Sequence, residues 1–228
     1  MEGTAMNRRL LVSLMALGAV ITLVGAAGIF AVFTDRARTG NSSVTSGERG
    51  SAADLLIAPS LLGPPECGTF VDDLVTDLFS INDAQPAGGF LGQAFICLKN
   101  AGSASLALSA ATIDLVDVET ACTGDEAAVG DASCGIVGGV AGAGELAPML
   151  LADIRQVNCT TGAPGGGGLI ESLADLQSGV PLGIFPAPDE VVCLRLEIFY
   201  SAATSDTAIQ IAQTDKVTWR FAFDGTTS

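Results

Sequence analysis

Residues 192–200 read Val-Cys-Leu-Arg-Leu-Glu-Ile-Phe-Tyr, and this stretch decides the fold class. Every second residue is large and apolar: Val192, Leu194, Leu196, Ile198 and Tyr200. Successive side chains of a β-strand point to opposite faces of its sheet, so this pattern predicts a half-buried antiparallel strand. Residues 217–223 repeat the pattern, with Val217, Trp219, Phe221 and Phe223 in the alternate positions.

Shorter apolar runs predict further strands earlier in the chain. Asp54 to Ala58 form one run, and Phe90 to Leu98 form another. Asn100-Ala101-Gly102 follow as a turn, so we expect Ser105 to Ser109 to return beside the preceding strand as a hairpin. Several such strands joined by Gly-rich turns are typical of an all-β, antiparallel β-sandwich.

A few segments depart from the β pattern. Residues 114–144 predict a long acidic loop, and Gly165–Gly168 predict a flexible loop because no Lys-Ser/Thr follows them to bind phosphate. A short helix is predicted next, since apolar residues recur at helical spacing before a glycine suited to a helix end: Leu169, Ile170, Leu173, Leu176 and Gly179.

The N-terminal segment predicts export. Two arginines precede 24 uncharged residues, Leu10 to Phe33, which as a helix at ~1.5 Å per residue are long enough to cross a bilayer. Ile29 and Ala31 stand at the −3 and −1 positions of a signal-peptidase site, so we expect cleavage between Ala31 and Val32. A retained membrane anchor is the alternative; the membrane would then be contacted only through this helix.

Three segments are therefore expected. Residues 1–31 form the signal peptide or anchor helix, and residues 54–228 form the sandwich domain. Residues 32–53 lie between them and are polar and rich in Gly, Ser and Thr, which by itself is typical of a tether.

Composition and charge exclude several function classes. The chain has 25 acidic and 10 basic residues, a net charge of −15 and no histidine. Phosphate backbones require a basic face, so a nucleic acid is not expected as a partner. The absence of histidine excludes His-dependent triads and HExxH zinc sites, and we predict no catalytic residue.

Six cysteines predict a disulfide framework. Their number is even, they all follow the hydrophobic segment, and they contain no CxxC pair that would favour zinc. The connectivity stays open except for one local pair that would close the acidic loop, Cys122 with Cys134. The six residues are Cys67, Cys97, Cys122, Cys134, Cys159 and Cys193.

The acidic loop is also the one candidate for metal binding. Ca²⁺ requires several oxygen ligands at once, and an exported acidic loop supplies them. The loop lacks the DxDxDG spacing of a calcium loop, so a solvated loop is the favoured interpretation and no cofactor is required. The candidate ligands are Asp125, Glu126 and Asp131, within a group that also includes Asp114, Asp117 and Glu119.

Several short motifs resemble those of the TasA/camelysin family. That family's pattern is a hydrophobic helix, then G-x-[YFW]-A-x-F-[ST]-D, G-N-x-F-x-A-G and D-L. The matching segments here are Gly28-Ile29-Phe30-Ala31-Val32-Phe33-Thr34-Asp35, Gly40-Asn41, Asp54-Leu55, Gln85-Pro86-Ala87-Gly88, Lys99-Asn100-Ala101-Gly102-Ser103, Gly144-Glu145-Leu146 and Gln213-Thr214-Asp215. The chain departs from the pattern where Val44 replaces an aromatic residue and where residues 48–53 are additional.

The resemblance implies a jelly-roll-like sandwich, exported to the cell surface and cleaved by a dedicated SipW-type signal peptidase. It also implies self-association into an extracellular matrix or pilus-like fibre by donor-strand exchange, in which the N-terminal arm of one subunit completes a sheet of the next. The arm would then comprise residues 32–44, with Phe33, Thr34, Asp35, Asn41 and Val44 as its candidate contact residues.

Two other functions compete with the fibre subunit. One is a monomeric secreted or cell-surface module that binds a ligand or Ca²⁺, in which case the arm is only a linker. The other is a protease, which the camelysin resemblance implies. The absence of histidine argues against a zinc peptidase, so we expect the chain not to be an enzyme.

Overall fold

The computed structural model of this chain describes residues 34–39, 52–60, 66–74, 78–79, 90–135, 142, 144–201, 206–212 and 215–227. All of them belong to one unit, Phe33–Ser228. The predicted cleavage site at Ala31 and Val32 lies outside the described residues, as do Phe33, Asn41 and Val44. Among the described residues, no helix combines the length and hydropathy that a membrane span requires.

Strands dominate the described part of the chain, and they are long where the sequence alternates. The strands are β1 (Thr34–Thr39), β2 (Leu55–Pro59), β3 (Asp73–Leu74), β4 (Phe90–Asn100), β5 (Leu106–Glu119), β6 (Leu150–Val157), β7 (Pro164–Ser172), β8 (Val180–Pro181), β9 (Val191–Tyr200) and β10 (Asp215–Thr227). Two short helices, α1 (Gly124–Val129) and α2 (Asp206–Ile211), and two 3₁₀ turns at Ser133–Gly135 and Asp175–Ser178 complete the set.

The strands form two five-stranded sheets. Sheet A has the order β3-β1-β10-β5-β8, and sheet B has the order β2-β4-β9-β6-β7. Neighbouring strands are antiparallel throughout, except for a two-residue parallel pairing of β1 with β3. The predicted all-β sandwich with a few short helices is therefore confirmed.

The hydrophobic core lies between the two sheets and follows the alternation that the sequence shows. On β9, Val192, Leu194, Leu196 and Ile198 are buried in one core cluster, together with Phe221 and Phe223 of β10. Residues at every second position of a strand share one face, so the sheets meet through these residues. The cluster also includes residues of β2, β4 and β5, namely Leu55, Ile57, Ile96, Leu98, Leu106 and Leu108.

A second, smaller apolar cluster covers the opposite face of sheet B. It contains Ala58, Cys97, Val157 and Cys193, each of which is buried. Two disulfides cross this face, Cys67–Cys97 and Cys159–Cys193. The predicted local disulfide between Cys122 and Cys134 is confirmed. Three disulfides with no free cysteine among the described residues indicate that the protein folds in an oxidising environment.

The predicted hairpin of β4 with β5 is wrong. Both strands form, but β4 pairs with β2 and β9 in sheet B, whereas β5 pairs with β10 and β8 in sheet A. The connection between them is a corner between sheets, built around the buried side chain of Asn100. That side chain donates to the carbonyls of Ala104 and Pro186 at 2.8 and 3.1 Å and accepts the N–H of Gly102 at 3.0 Å.

The predicted glycine loop and the helix after it are also wrong. Gly165–Gly168 lie in β7, the edge strand of sheet B, and Leu169 and Ile170 continue that strand. A side chain is excluded at Gly168 because β7 approaches β6 closely there: a Cβ at Gly168 would lie 2.5 Å from the carbonyl oxygen of Ile154. Helical character is confined to the 3₁₀ turn Asp175–Ser178, which Gly179 ends as predicted.

A bulge in β5 changes which residues of this strand face the core. The pairing with β10 shifts between Thr218↔Val116 and Arg220↔Ile113, so β5 contains one extra residue there. Asp114, in the bulge, has a positive φ of 50° and forms an ion pair with Arg220. A bulge of this kind reverses the alternation of the strand beyond it.

Candidate functional site

The first candidate site is the strand that the predicted arm contributes to sheet A. Thr34 and Asp35, two of the predicted contact residues, lie in β1, which pairs antiparallel with β10. The register runs from Thr34↔Thr226 to Arg38↔Ala222. Residues 34–39 of the arm therefore form a strand of sheet A.

The two edges of β1 are covered unequally. Within the described residues, five pairs join β1 to β10, whereas two join it to β3, which is a strand of two residues. The strand that β1 covers is a major element of the fold, since Phe221 and Phe223 of β10 are fully buried. Without β1, the backbone groups along this edge of β10 would have no neighbouring strand.

The second candidate site is a group of five carboxylates, Asp117, Glu119, Asp131, Glu145 and Asp215, which we call the acidic cluster. Asp117 and Glu119 lie on β5, and Asp215 is the first residue of β10. Asp131 and Glu145 lie in the connection between β5 and β6. Three of these residues, Glu119, Asp131 and Glu145, each place a carboxylate oxygen within 4.8 Å of the others.

The β5 bulge explains why these residues meet. Before the bulge, Ala110 and Thr112 are paired with Phe223 and Phe221 of β10 and face the core. Beyond it, Asp117 and Glu119 are paired with Val217 and Asp215. Because Phe223, Phe221, Val217 and Asp215 share one side of β10, the two acidic residues of β5 point to the same side as the core.

The Cys122–Cys134 disulfide joins two points of the loop between β5 and β6. Beside it, the Oγ of Ser133 lies 2.9 Å from Glu119 Oε2, 2.7 Å from Asp131 Oδ1 and 3.2 Å from Glu145 Oε2. Ser133 thus lies among three carboxylates that come from three separate parts of the chain.

Backbone N–H groups hold the segment that carries Glu145. The N–H of Glu145 donates to Asp215 Oδ2 at 2.5 Å, and the N–H of Ala147 donates to Asp117 Oδ2 at 2.6 Å. The other oxygen of each carboxylate, Oδ1 of Asp117 and Oδ1 of Asp215, is buried without a hydrogen-bond partner.

Burial and mutual repulsion raise the pKa values of three members of the acidic cluster, Asp117, Glu145 and Asp215. Burial raises the pKa of Asp215 to about 7, and the charges of Asp117, Glu145 and Glu119 contribute. Burial also raises the pKa of Asp117, and burial together with the charge of Asp131 raises that of Glu145. Such shifts are typical of acidic groups that lack a positive partner.

The predicted calcium ligands are distributed differently from the expectation. Asp131 lies in the acidic cluster, but Asp125 is exposed on helix α1. The carboxylate of Glu126 accepts the backbone N–H of Thr123 in a capping box at the start of the same helix. The sequence interpretation did not include Glu145 or Asp215 among the candidates, because both are distant along the chain from the acidic loop. No motif in the sequence marks either residue as a metal ligand.

No protein-family model matches this chain, and neither a curated protein nor a solved structure matches it significantly.

Proposed function

We propose that this chain is an exported structural subunit of an extracellular fibre that assembles by donor-strand exchange. The observation that carries the proposal is the position of β1: residues of the N-terminal arm lie beside β10 as a strand of sheet A. In the fibre, the same register would be occupied by β1 of a neighbouring subunit.

The way in which β1 is held favours such an exchange. All six cysteines lie at or beyond Cys67, so no disulfide ties β1 to the sandwich. The sandwich itself is stapled elsewhere, by Cys67–Cys97 and Cys159–Cys193 across sheet B. The arm can therefore leave β10 without breaking a disulfide, while the rest of the fold stays covalently linked.

The unpaired backbone groups of a sheet edge favour polymerisation. An uncovered edge of β10 would be a template for another strand, and an added strand satisfies its backbone groups. The arm and the edge of β10 that accepts it are different surfaces of one chain, so the contact between copies is heterologous and continues into a filament. The disulfides and the apolar N-terminal segment support export. The absence of histidine supports a structural rather than a proteolytic role.

Cysteine cross-linking tests the proposal directly. Thr34 and Thr226 are paired in the register of β1 with β10, and paired residues of adjacent strands lie within disulfide distance. Protein carrying only Thr34→Cys is mixed with protein carrying only Thr226→Cys and oxidised under conditions that allow assembly. Donor-strand exchange predicts covalent dimers on non-reducing gels.

The matched control uses the residue that pairs with Thr226 on the other side of β10. Ala107 of β5 pairs with Thr226, and both belong to the sandwich itself. Mixed Ala107→Cys and Thr226→Cys proteins should give no dimer, whereas the double variant should close an intramolecular disulfide. If the Thr34 and Thr226 variants also give no dimer, while a Thr34→Cys/Thr226→Cys double variant forms only monomers with an internal disulfide, the arm completes its own sheet. The chain would then be a monomeric surface module.

A further inference from the structure

The acidic cluster concentrates oxygen ligands in a small, inward-facing space. Carboxylate oxygens of Glu119, Asp131 and Glu145 all lie within 4.8 Å of one another. Two ligands of one Ca²⁺ ion can be no farther apart than twice the Ca–O distance of about 2.4 Å. The three oxygens therefore already satisfy the spacing that a shared calcium ion imposes.

Two of these carboxylates are buried and that of Glu145 is half-buried, which separates them from ordinary surface acids. Glu119 is 0% exposed and Asp131 is 8% exposed. The ion pairs among the described residues join Lys99–Asp189, Arg155–Asp153, Arg195–Glu197 and Arg220–Asp114. None of these cations reaches Asp117, Asp131, Glu145 or Asp215, and buried charges are stable only with a counter-charge or a metal.

The contacts of the Ser133 hydroxyl also indicate that this cluster lacks positive charge. Its Oγ lies within 3.2 Å of three carboxylate oxygens, yet a hydroxyl has only one proton to donate. When the three carboxyl groups are ionised, two of the three close oxygen–oxygen contacts therefore lack a hydrogen between them. A cation placed among these oxygens removes the repulsion.

A further acceptor points to a ligand independently of this packing. Asp117 is 8% exposed, and its Oδ1 is buried with no hydrogen-bond partner. The side chain lies on the core-facing side of β5, two residues from Glu119 and diagonal to Asp215, whose Oδ1 is likewise buried and unpaired. A buried carboxylate oxygen without a donor requires an explanation, and a bound or hydrated cation supplies one.

We propose that the acidic cluster binds one Ca²⁺ ion. Glu119, Asp131 and Glu145 supply direct oxygen ligands, and Asp117 and Asp215 accept hydrogen bonds from the ion's water molecules or complete its shell. The donor set is entirely oxygen, which disfavours zinc. Ligands that arrive from β5, the stapled loop, residues 144–147 and β10 form an irregular cage, which suits calcium better than the strict octahedron of Mg²⁺. The ion would join these four parts of the chain.

Calorimetry and thermal unfolding of the exported, disulfide-bonded protein test the site. After treatment with EDTA and buffer exchange, CaCl₂ is added in one series and MgCl₂ at equal concentration in another. We expect saturable binding and a higher Tm with Ca²⁺, and a smaller Tm shift with Mg²⁺, which accounts for general screening of the −15 net charge. Absence of a Ca²⁺-specific shift would overturn the proposal.

Two variants with the same change in net charge locate the ion. Glu145→Gln should weaken Ca²⁺ binding at least about tenfold, because it removes a charged ligand. Its Tm in EDTA should nevertheless rise, since it also removes repulsion, so lost binding cannot be mistaken for misfolding. Asp125→Asn, on the exposed face of α1, should retain the wild-type response. A wild-type response in Glu145→Gln, or a loss confined to Asp125→Asn, would refute the site.

Discussion

Cys97 and Cys193 face each other across β4 and β9, with their Sγ atoms 3.4 Å apart, yet they are not bonded to each other. Cys97 is joined to Cys67, and Cys193 is joined to Cys159. Two disulfides therefore lie in contact on the outer face of sheet B. Their four sulfurs link the segment after β2, strands β4 and β9, and the loop after β6.

The contact between these two disulfides predicts a thiol–disulfide exchange that can be tested. In a Cys67→Ala variant, the Cys97 thiolate lies next to Cys193 and should attack it, forming Cys97–Cys193 and releasing Cys159 as the new thiolate. Alkylation at pH 8 followed by peptide mass spectrometry should then find the label on Cys159. A Cys67→Ala/Cys97→Ala variant has no attacking thiol and should stay unlabelled. Label found only on Cys97 would contradict the expected exchange.

The Cys122–Cys134 disulfide should stabilise both the fold and the acidic cluster. It closes a loop whose ends are 12 residues apart and which carries Asp131 and Ser133. Replacing both cysteines by alanine should lower the free energy of unfolding by about 2–3 kcal/mol, because the unfolded chain gains freedom. Urea denaturation measures this loss, and the Ca²⁺-dependent Tm shift should shrink in parallel. An unchanged Ca²⁺ shift would place the ion away from this loop.

The glycines of β7 provide a matched pair for a test of the sheet edge. Gly168 has a φ of 143°, and a Cβ there would lie 2.5 Å from the carbonyl oxygen of Ile154, so Gly168→Ala should cost about 1–3 kcal/mol. Gly166 has no heavy atom within 4 Å of an added Cβ, and Gly166→Ala should be nearly neutral. Urea denaturation of the two variants distinguishes them. Equal losses would mean that β7 does not approach β6 at Gly168.

Asp215 should make the metal-free protein less stable as the pH rises. Its pKa is about 7 in the folded protein, against an ordinary value of 3.8. Between these values the folded state holds a proton that the unfolded state has lost, so the free energy of unfolding falls as pH increases from about 4 to 7. Asp117, Glu119, Glu145 and Tyr200 face this group, and the raised pKa values of Asp117 and Glu145 add to the slope.

Urea denaturation in EDTA across this pH range measures the slope. Asp215→Asn should flatten it, while Asn can still accept the N–H of Glu145 through its side-chain oxygen. Asp125→Asn removes the same charge from an exposed position and should leave the slope unchanged. A slope that stays the same in Asp215→Asn would assign the pH dependence to other groups.

Deletion of the arm should abolish assembly and leave the sandwich folded. Negative-stain electron microscopy would compare protein that begins at Val32 with protein that begins at Asp54, which lacks β1. Filaments from the longer form alone are expected, and circular dichroism should show β structure in both. Filaments from both forms would exclude β1 as the donor.

The positions of individual strands were predictable from the sequence, because each depends only on the residue pattern within that strand. The alternation in residues 192–200 and 217–223 gave two long strands whose apolar faces are buried as expected. Partner choice was not predictable, because the corner at Asn100 has the composition of a hairpin turn but directs β5 into the other sheet. Likewise, Gly165–Gly168 have the composition of a loop, and they lie in a strand because β7 pairs with β6.

The acidic cluster was harder to predict than the sheets. Asp117 and Glu119 were noted as part of an acidic segment, but the strand alternation that places them inward depends on the bulge near Asp114. Asp215 joins them only because β10 pairs with β5, and Glu145 because the intervening loop folds back. A motif search within one segment cannot find ligands that only tertiary pairing brings together.

The pairing of β1 with β10 also sets an order of events during biogenesis. The ribosome makes β1 before any other strand and β10 after all the others described here. The loop that this pairing closes spans nearly the whole chain, so its entropic cost is high and it should form late in folding. A chain that is truncated or unfinished before β10 has the arm but lacks the strand with which an arm pairs. In the fibre that we propose, such a chain could cap a growing polymer at one end but could never extend it, and only a completed polypeptide would offer a place for the next subunit.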